Sequence, residues 1–260
     1  MMKSVSLAVV ITARNEERNL APTVDAVLAC LKEYFPAYEV LIIDDGSRDG
    51  TGRVAGELAR KHHAIRVVHH STSRGFAVSY RHGVSLAQMV YVGLVTGDNE
   101  MTPESIRAAF AVVGQADVVI PYQANQQDRP LWRRVLSRAF TSTVNFLFGL
   151  RIRYFQGPCI YPTQWAQRLP VTTTGFALLT DMLVRTLKAG CSYIEVPMTI
   201  RPRAYGRSSA LSLRNVSTAG WTLATLWRDV YLRGNSGLRG SAFGGGADSA
   251  SSVEEKGGKS

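Results

Sequence analysis

Val90-Tyr91-Val92-Gly93-Leu94-Val95-Thr96-Gly97-Asp98-Asn99-Glu100-Met101-Thr102-Pro103-Glu104 contains an apolar run, an acidic turn and a helix start, in that order. The apolar run is short and rich in β-branched residues, which predicts a buried strand. Thr102-Pro103-Glu104 has the residue types that begin a helix. Between them, Asp98 and Glu100 stand two residues apart where the strand ends. A hard cation such as Mg²⁺ or Mn²⁺ takes one or two protein carboxylates and fills its other positions with phosphate oxygens and water. The pair therefore points to a metal that also holds a diphosphate. The competing reading of Gly97-Asp98-Asn99-Glu100 is a helix cap and a solvated turn.

Working outward, strands and helices alternate. Val5 to Thr12 reads as a strand, Glu16 to Lys32 as a helix, Val40 to Ile43 as a strand and Asp49 to Lys61 as a helix. Ile65 to His69 is a strand, Ala77 to Gln88 a helix, Pro103 to Val113 a helix and Asp117 to Ile120 a strand. This order predicts an α/β fold whose central sheet is mostly parallel, with helices on both faces. Ligands of such sheets bind at the carboxyl ends of the strands. The polar clusters Asn15-Glu16, Asp44-Asp45, Arg74-Gly75 and Asp98 to Glu100 all fall there. Caps and turns explain any one of them; four on one edge point to a site.

The second half is less regular. Leu131 to Leu150 reads as a helix carrying Arg133, Arg134 and Arg138 beside a run of aromatic and aliphatic residues. Gly175 to Ala189 is a helix and Tyr193 to Pro197 a strand, and Thr199 to Ser209 carries Arg201, Arg203 and Arg207 around Gly206. Leu211 to Arg233 reads as one or two amphipathic helices with Trp221 and Trp227. From Gly234 the composition turns Gly/Ser-rich, which predicts disorder. The expected organisation is a folded unit over 1–210, amphipathic helices over 211–233 and a tail over 234–260.

The formal charge is +10 over 260 residues, and the tail contributes none of it. The positive excess belongs to the folded part and implies a phosphate-bearing partner or an anionic membrane surface. Cys30, Cys159 and Cys191 are odd in number and form no CxxC, so disulfides and structural zinc are not expected. The N-terminal apolar run is too short and too β-branched for a signal peptide. No apolar stretch approaches the roughly 18 residues of a membrane-spanning helix. A cytoplasmic protein is expected.

In order along the chain, several segments resemble family 2 glycosyltransferases of the GT-A fold, a Rossmann-like architecture. The likeness is strongest to dolichol- and polyprenol-phosphate mannose synthases. The segments are Val9 to Glu17, Val40 to Thr51, Arg74 to Ala77 with Gly83, Asp98 to Glu100 with Pro103-Glu104, Gly175-Phe176, Val196-Pro197 and Arg203 to Ser208. The resemblance implies an inverting transferase that moves a sugar, mannose first, from GDP-mannose or a UDP-hexose to polyprenyl or dolichyl phosphate. It implies that Thr12, Arg14 and Glu16 border the nucleotide and that Asp45 reaches the base or ribose. It places Gly75, Thr96 and Gly97 on that same side, with Mg²⁺ or Mn²⁺ on Asp98 and Glu100. The chain departs from the family pattern in places. Thr96 stands where the metal motif has its first Asp, Glu100 replaces a Gln, Thr12 replaces a Pro, and Tyr122-Gln123 replaces an Arg. Gly206-Arg207-Ser208-Ser209 lacks the usual Lys, and Tyr154 to Cys159 diverges from the family segment there.

A phosphate nucleophile is already ionised at neutral pH and needs positioning more than deprotonation. Arginine forks suit such an acceptor, and the candidates are Arg133, Arg134, Arg203 and Arg207. The expected catalytic set is Asp98, Glu100 and Arg203. The histidine pairs His62-His63 and His69-His70 point apart and form no metal site. A lipid acceptor keeps the enzyme at a membrane, here at the cytoplasmic face, held by the basic-aromatic helices or by an anchoring partner protein. Three competing readings stand beside this one. A silent binding module would have lost its carboxylates. A nucleic-acid binder would show a basic stripe with interleaved aromatics, and none is evident. A transferase with a hydroxyl acceptor would need a base, and none is assignable.

Overall fold

The computed structural model describes residues 5–171, 173, 175, 177–202 and 223–231. Strands β1 (Ser6–Ala13), β2 (Ala37–Asp44), β3 (Ile65–His69), β4 (Tyr91–Thr96), β5 (Val118–Gln123), β6 (Ile160–Pro162) and β7 (Tyr193–Met198) form one sheet in the order β3-β2-β1-β4-β6-β5-β7. The sheet is mixed. β6 pairs antiparallel with both β4 and β5, whereas the β1–β2, β1–β4, β2–β3 and β5–β7 pairs are parallel. The mostly parallel sheet read from the sequence is therefore present, with one reversed strand that the sequence did not reveal.

Helices α1 (Leu20–Tyr34), α2 (Thr51–Lys61) and α4 (Pro103–Phe110) cover one face. Helices α3 (Phe76–Leu86), α5 (Leu131–Phe148), α6 (Thr163–Arg168) and α7 (Ala177–Lys188) cover the other. The central strands are apolar throughout because both of their faces are buried. Along β1, Leu7, Val9 and Ile11 pack toward α1, while Ala8 and Val10 pack toward α3. α3 lies so close to the sheet that a Cβ at Gly83 would overlap the Val10 side chain.

α1 begins at Leu20, later than the Glu16 expected from its apolar spacing. Asn15 takes a left-handed backbone with φ of 55°. The Glu16 carbonyl then accepts from both the Asn19 and Leu20 amides, so Asn15-Glu16 become a turn ahead of the helix. α5 ends at Phe148 because Gly149 adopts a left-handed cap.

Residues 223–231 are helical and pack Leu223 and Leu226 into the α7 side of the core. This is the described part of the amphipathic segment expected over 211–233. Trp221 and the tail from Gly234 lie outside the described residues. A buried ion pair joins this helix to α7. Arg185 Nε donates to Asp181 Oδ1 at 2.5 Å, and Arg185 Nη2 reaches Asp229 Oδ2 at 3.4 Å. Burial raises the Asp181 pKa, and Arg185 works against that rise. Arg185→Met should lower stability in urea unfolding by about 3–5 kcal/mol, because it leaves a buried carboxylate uncompensated. The double variant Asp181→Leu/Arg185→Met should lose clearly less. Equal losses in the two would contradict the pairing.

Candidate active site

Short hydrogen bonds stitch the carboxyl ends of four strands into one row. The Gly97 amide donates to the Thr12 carbonyl, the Asp45 amide to the Ala13 carbonyl, and the His70 amide to the Asp44 carbonyl, each at 2.9 Å. This places the ends of β4, β1, β2 and β3 side by side, with Asp98, Asn15, Asp45 and Arg74 just beyond them. Gly97 fits closely at this point. A Cβ there would come within 3.1 Å of Ala13 Cβ and 3.2 Å of the Thr12 carbonyl.

Asp98 is 8% exposed. Its Oδ1 accepts from Thr96 Oγ1 at 2.7 Å and from the Glu100 amide at 3.2 Å. Thr96 thus serves here as a holder of Asp98. Asn99, with φ of 57°, tightens the turn between the two carboxylates. The alternative reading of this tetrapeptide was a helix cap. Instead Thr102 is the N-cap of α4, its Oγ1 accepting from the Ser105 amide at 3.2 Å. Neither Asp98 nor Glu100 is needed for that task. Among the described residues no group of three or more His, Cys, Asp and Glu is placed to hold a metal. A cation here would have two protein carboxylates at most, with other ligands completing its shell.

A strap from β7 crosses the acidic turn. The Arg201 amide donates to the Glu100 carbonyl at 2.7 Å, and Met101 forms a bridge with Ile200. Asn125, just after β5, clamps the strap from its other side. Its Nδ2 donates to the Ile200 carbonyl at 2.8 Å, and its Oδ1 accepts from the Ile200 amide at 3.1 Å. The strap leads directly toward Arg203, which with Arg207 lies outside the described residues.

On the other side of the row, Asn15 and Glu16 brace the loop after β2. Asn15 Oδ1 accepts from the Arg48 amide at 2.9 Å, and the Glu16 amide donates to Thr51 Oγ1 at 2.8 Å. The Glu16 carboxylate is buried and accepts from Asn19 Nδ2 at 2.7 Å. Arg14 is exposed at the rim and Thr12 is half-buried at the end of β1.

Asp45 is held on four sides. Its two oxygens accept from His70 Nδ1 (3.0 Å), Ser73 Oγ (2.7 Å), the Arg74 amide (2.8 Å) and the Gly75 amide (2.9 Å). A carboxylate has about four acceptor positions, and these four donors engage them. Asp45 shapes the loop before α3, where Gly75 has φ of 89°. Burial alone would raise its pKa. Hydrogen bonds from His70, Arg74, Ser73 and Ser79 hold it well below the usual carboxylate range instead.

His69 and His70 do point apart: His69 Nδ1 lies 3.0 Å from Asp44 Oδ2, and His70 is buried on Asp45. His70 Nε2 also meets His82 Nδ1 at 3.0 Å. Sequence reasoning missed that chain, and nothing in the residue order signals it. The three cysteines are free and buried, and burial pushes the Cys159 and Cys191 thiols up to about 12. Arg133 and Arg134 sit half-buried on α5, away from the strand-end motifs in sequence. The Nε atom of each is buried without a hydrogen-bond partner.

Residues 8–174 match the family model described as glycosyl transferase family 2. The undecaprenyl-phosphate mannosyltransferase of Micrococcus luteus is 27% identical over 240 residues, covering 86% of this chain and 97% of that protein. The polyprenol monophosphomannose synthase of Mycolicibacterium smegmatis is 30% identical over 230 residues, covering 83% of this chain and 84% of that protein. Among solved structures, glucosyl-3-phosphoglycerate synthase from Mycobacterium tuberculosis with uridine diphosphate superposes with a TM-score of 0.64. It covers 91% of this chain and 82% of its own at 15% identity, a likeness of fold.

A carboxylate whose pKa is lowered by folding stabilises the protein above its unfolded pKa, and that contribution fades as pH falls toward the folded value. Asp45→Asn should therefore unfold in urea with a stability about 2 kcal/mol lower at neutral pH. The gap should narrow as pH drops below about 4, the ordinary carboxylate pKa. A gap that stays constant down to pH 3 would contradict the hydrogen-bonded carboxylate.

Proposed function

Because this chain belongs to glycosyl transferase family 2 and is a glycosyltransferase, we propose that it moves a sugar, mannose first, from a nucleoside diphosphate sugar to a polyprenyl or dolichyl phosphate. The observation that carries this reading is the Asp98-Asn99-Glu100 turn. It is held at the end of β4 by Thr96, unneeded for capping α4, and strapped to the segment that leads to Arg203. The two relatives named above, a mannosyltransferase and a phosphomannose synthase, support the same acceptor class. The donor is GDP-mannose or a UDP-hexose. The catalytic unit is residues 1–210, with 211–233 as an amphipathic appendage and 234–260 as a tail.

Asp98 and Glu100 offer hard oxygen donors that fit Mg²⁺ or Mn²⁺, and the Thr96 hydroxyl orients Asp98 for that task. Bound there, the cation would neutralise charge on the departing diphosphate. An acceptor phosphate oxygen attacks the anomeric carbon as the bond to the diphosphate breaks, and the bonding pair leaves on the diphosphate. No proton has to be removed, so no general base is required. Thr12, Arg14 and Gly75 border the nucleotide, with Gly97 closing the floor between β1 and β4. Glu16 and Asp45 act by bracing the loops around them. Arg133, Arg134, Arg203 and Arg207 hold the acceptor phosphate. Arg133 and Arg134 suit this role because both residues are half-buried with their Nε atoms lacking a hydrogen-bond partner.

No helix among the described residues is long and apolar enough to cross a membrane. α5 instead exposes Leu131, Trp132, Val135 and Phe146 along a helix that also carries Arg133, Arg134 and Arg138. We assign this face to the cytoplasmic surface of a bilayer, where apolar burial and about 1 kcal/mol per basic residue would hold the enzyme against its substrate. An anchoring partner protein would add to that hold.

The decisive test is a panel of nucleotide sugars with Mg²⁺ or Mn²⁺ and a short polyprenyl phosphate, with product followed by mass. Asp98→Ala should lower turnover at least a hundredfold with an unchanged circular dichroism spectrum, roughly the loss of several kcal/mol of charge stabilisation. Glu100→Gln should be milder, since it keeps an oxygen donor. Near-normal turnover of Asp98→Ala at limiting metal would sink the assignment.

Vesicles test the membrane face. Full-length protein should float with vesicles containing anionic lipid and lose that binding as salt rises. Trp132→Ala/Phe146→Ala should weaken flotation without altering turnover of a water-soluble acceptor analogue. Indifference of the wild type to anionic vesicles would mean either that a partner protein supplies the anchor or that the lipid-acceptor reading is wrong.

A further inference from the structure

A cavity of about 440 Å³ lies between α3, α6 and the start of α7, and no residue of the Asp98–Glu100 turn lines it. Its size falls among small-molecule pockets, which run from roughly 300 to 1,000 Å³. One wall is basic, formed by Arg74, Arg81 and His82. The opposite wall is apolar and includes Leu169, Val171 and Met182. Neither Arg74 nor Arg81 has an acidic partner among the described residues. Apart from His82, no ring is among the described residues that line it.

His82 is held in place from inside the protein. Asp45 is ionised and accepts only, so His70 Nδ1 carries the proton between them. His70 Nε2 then engages His82 Nδ1 at 3.0 Å, and the two rings lie 5° from parallel. His82 Nε2 is the nitrogen left for a ligand.

We propose that this cavity binds an anionic amphiphile, a phosphate monoester with a short apolar chain. The phosphate sits on Arg74, Arg81 and His82, and the chain lies along Leu169, Val171 and Met182. The Arg74 amide is bound by Asp45 at 2.8 Å. A headgroup on the Arg74 side chain therefore presses on the same loop that carries Gly75 to the nucleotide side. Choosing an isoprenoid chain as the probe rests on the lipid-phosphate acceptor reading; the cavity and its charge do not.

The test is calorimetric titration with geranyl phosphate in the background Arg133→Ala/Arg134→Ala/Arg203→Ala/Arg207→Ala, which removes the proposed acceptor arginines. One equivalent should bind. Arg81→Ala, an exposed position that folding tolerates, should weaken binding about tenfold, the loss expected for one charged hydrogen bond. Ser85→Trp, which fills the cavity from an exposed position on α3, should weaken it at least as much. Inorganic phosphate should bind more weakly than geranyl phosphate, and geraniol should not bind measurably. No binding to the folded background protein, or binding indifferent to both variants, overturns the proposal. Equal binding of inorganic phosphate overturns the amphiphile and leaves an anion site. Geranyl phosphate binding that survives when no sugar transfer is found on any acceptor sustains the cavity and sinks the acceptor reading instead.

Discussion

The structure around the site depends on one buried carboxylate. Asp45 is 5% exposed, and an ionised carboxylate that far from water is tolerable only if every lone pair is met. The chain meets them with two backbone amides, a hydroxyl and an imidazole, all from the six residues between the end of β3 and the start of α3. That requirement bends the backbone into the left-handed conformation at Gly75 and sets where α3 begins. α3 in turn can lie against β1 only because Gly83 has no side chain. An electrostatic demand at one atom is passed through a loop into helix packing.

Much of this was legible in the residues. Val40 to Asp45 and Val90 to Glu100 are continuous apolar runs with polar ends, the pattern of parallel strands buried on both faces and open at one end. Thr102-Pro103 marked the start of α4, and the structure uses both as the sequence implies. Other elements carried too little signal. β6 is three residues ending in a proline, and α6 is six residues with no side-chain cap, both too short for periodicity to act. The start of α1 was misplaced because Glu16 fits the helical spacing, while a left-handed Asn15 and a doubly accepting carbonyl decide otherwise. The Asp45–His70–His82 chain joins residues 25 and 12 positions apart, a relation that no local pattern encodes. Arg203 and Arg207, central to the acceptor reading, belong to the segment outside the described residues.

On the proposed reading, Asp98 and Glu100 are a weak pair of ligands that the fold makes useful. Two carboxylates alone make no cage, and among the described residues no third metal-type side chain joins them. What the fold supplies is orientation. Thr96 and the Glu100 amide fix one oxygen of Asp98, and the strap from β7 fixes the carbonyl that follows. Such preorganisation matters more than ligand number when phosphate oxygens complete the coordination.

The reversed strand β6 has a consequence for how such a protein can change over time. It separates β1 to β4, whose ends carry the dense motifs, from β5 and β7, which carry Asn125 and the strap. Where β6 intervenes, the sheet presents a strand's beginning among strands' ends, and the residues before Ile160 fill the notch. A substitution in that notch alters one half of the cleft without disturbing the register of the other. The departures from the family pattern fall on both sides of this seam, at Tyr122-Gln123 and Tyr154 to Cys159 on one and at Thr12, Thr96 and Glu100 on the other, so each half of the cleft can be retuned separately.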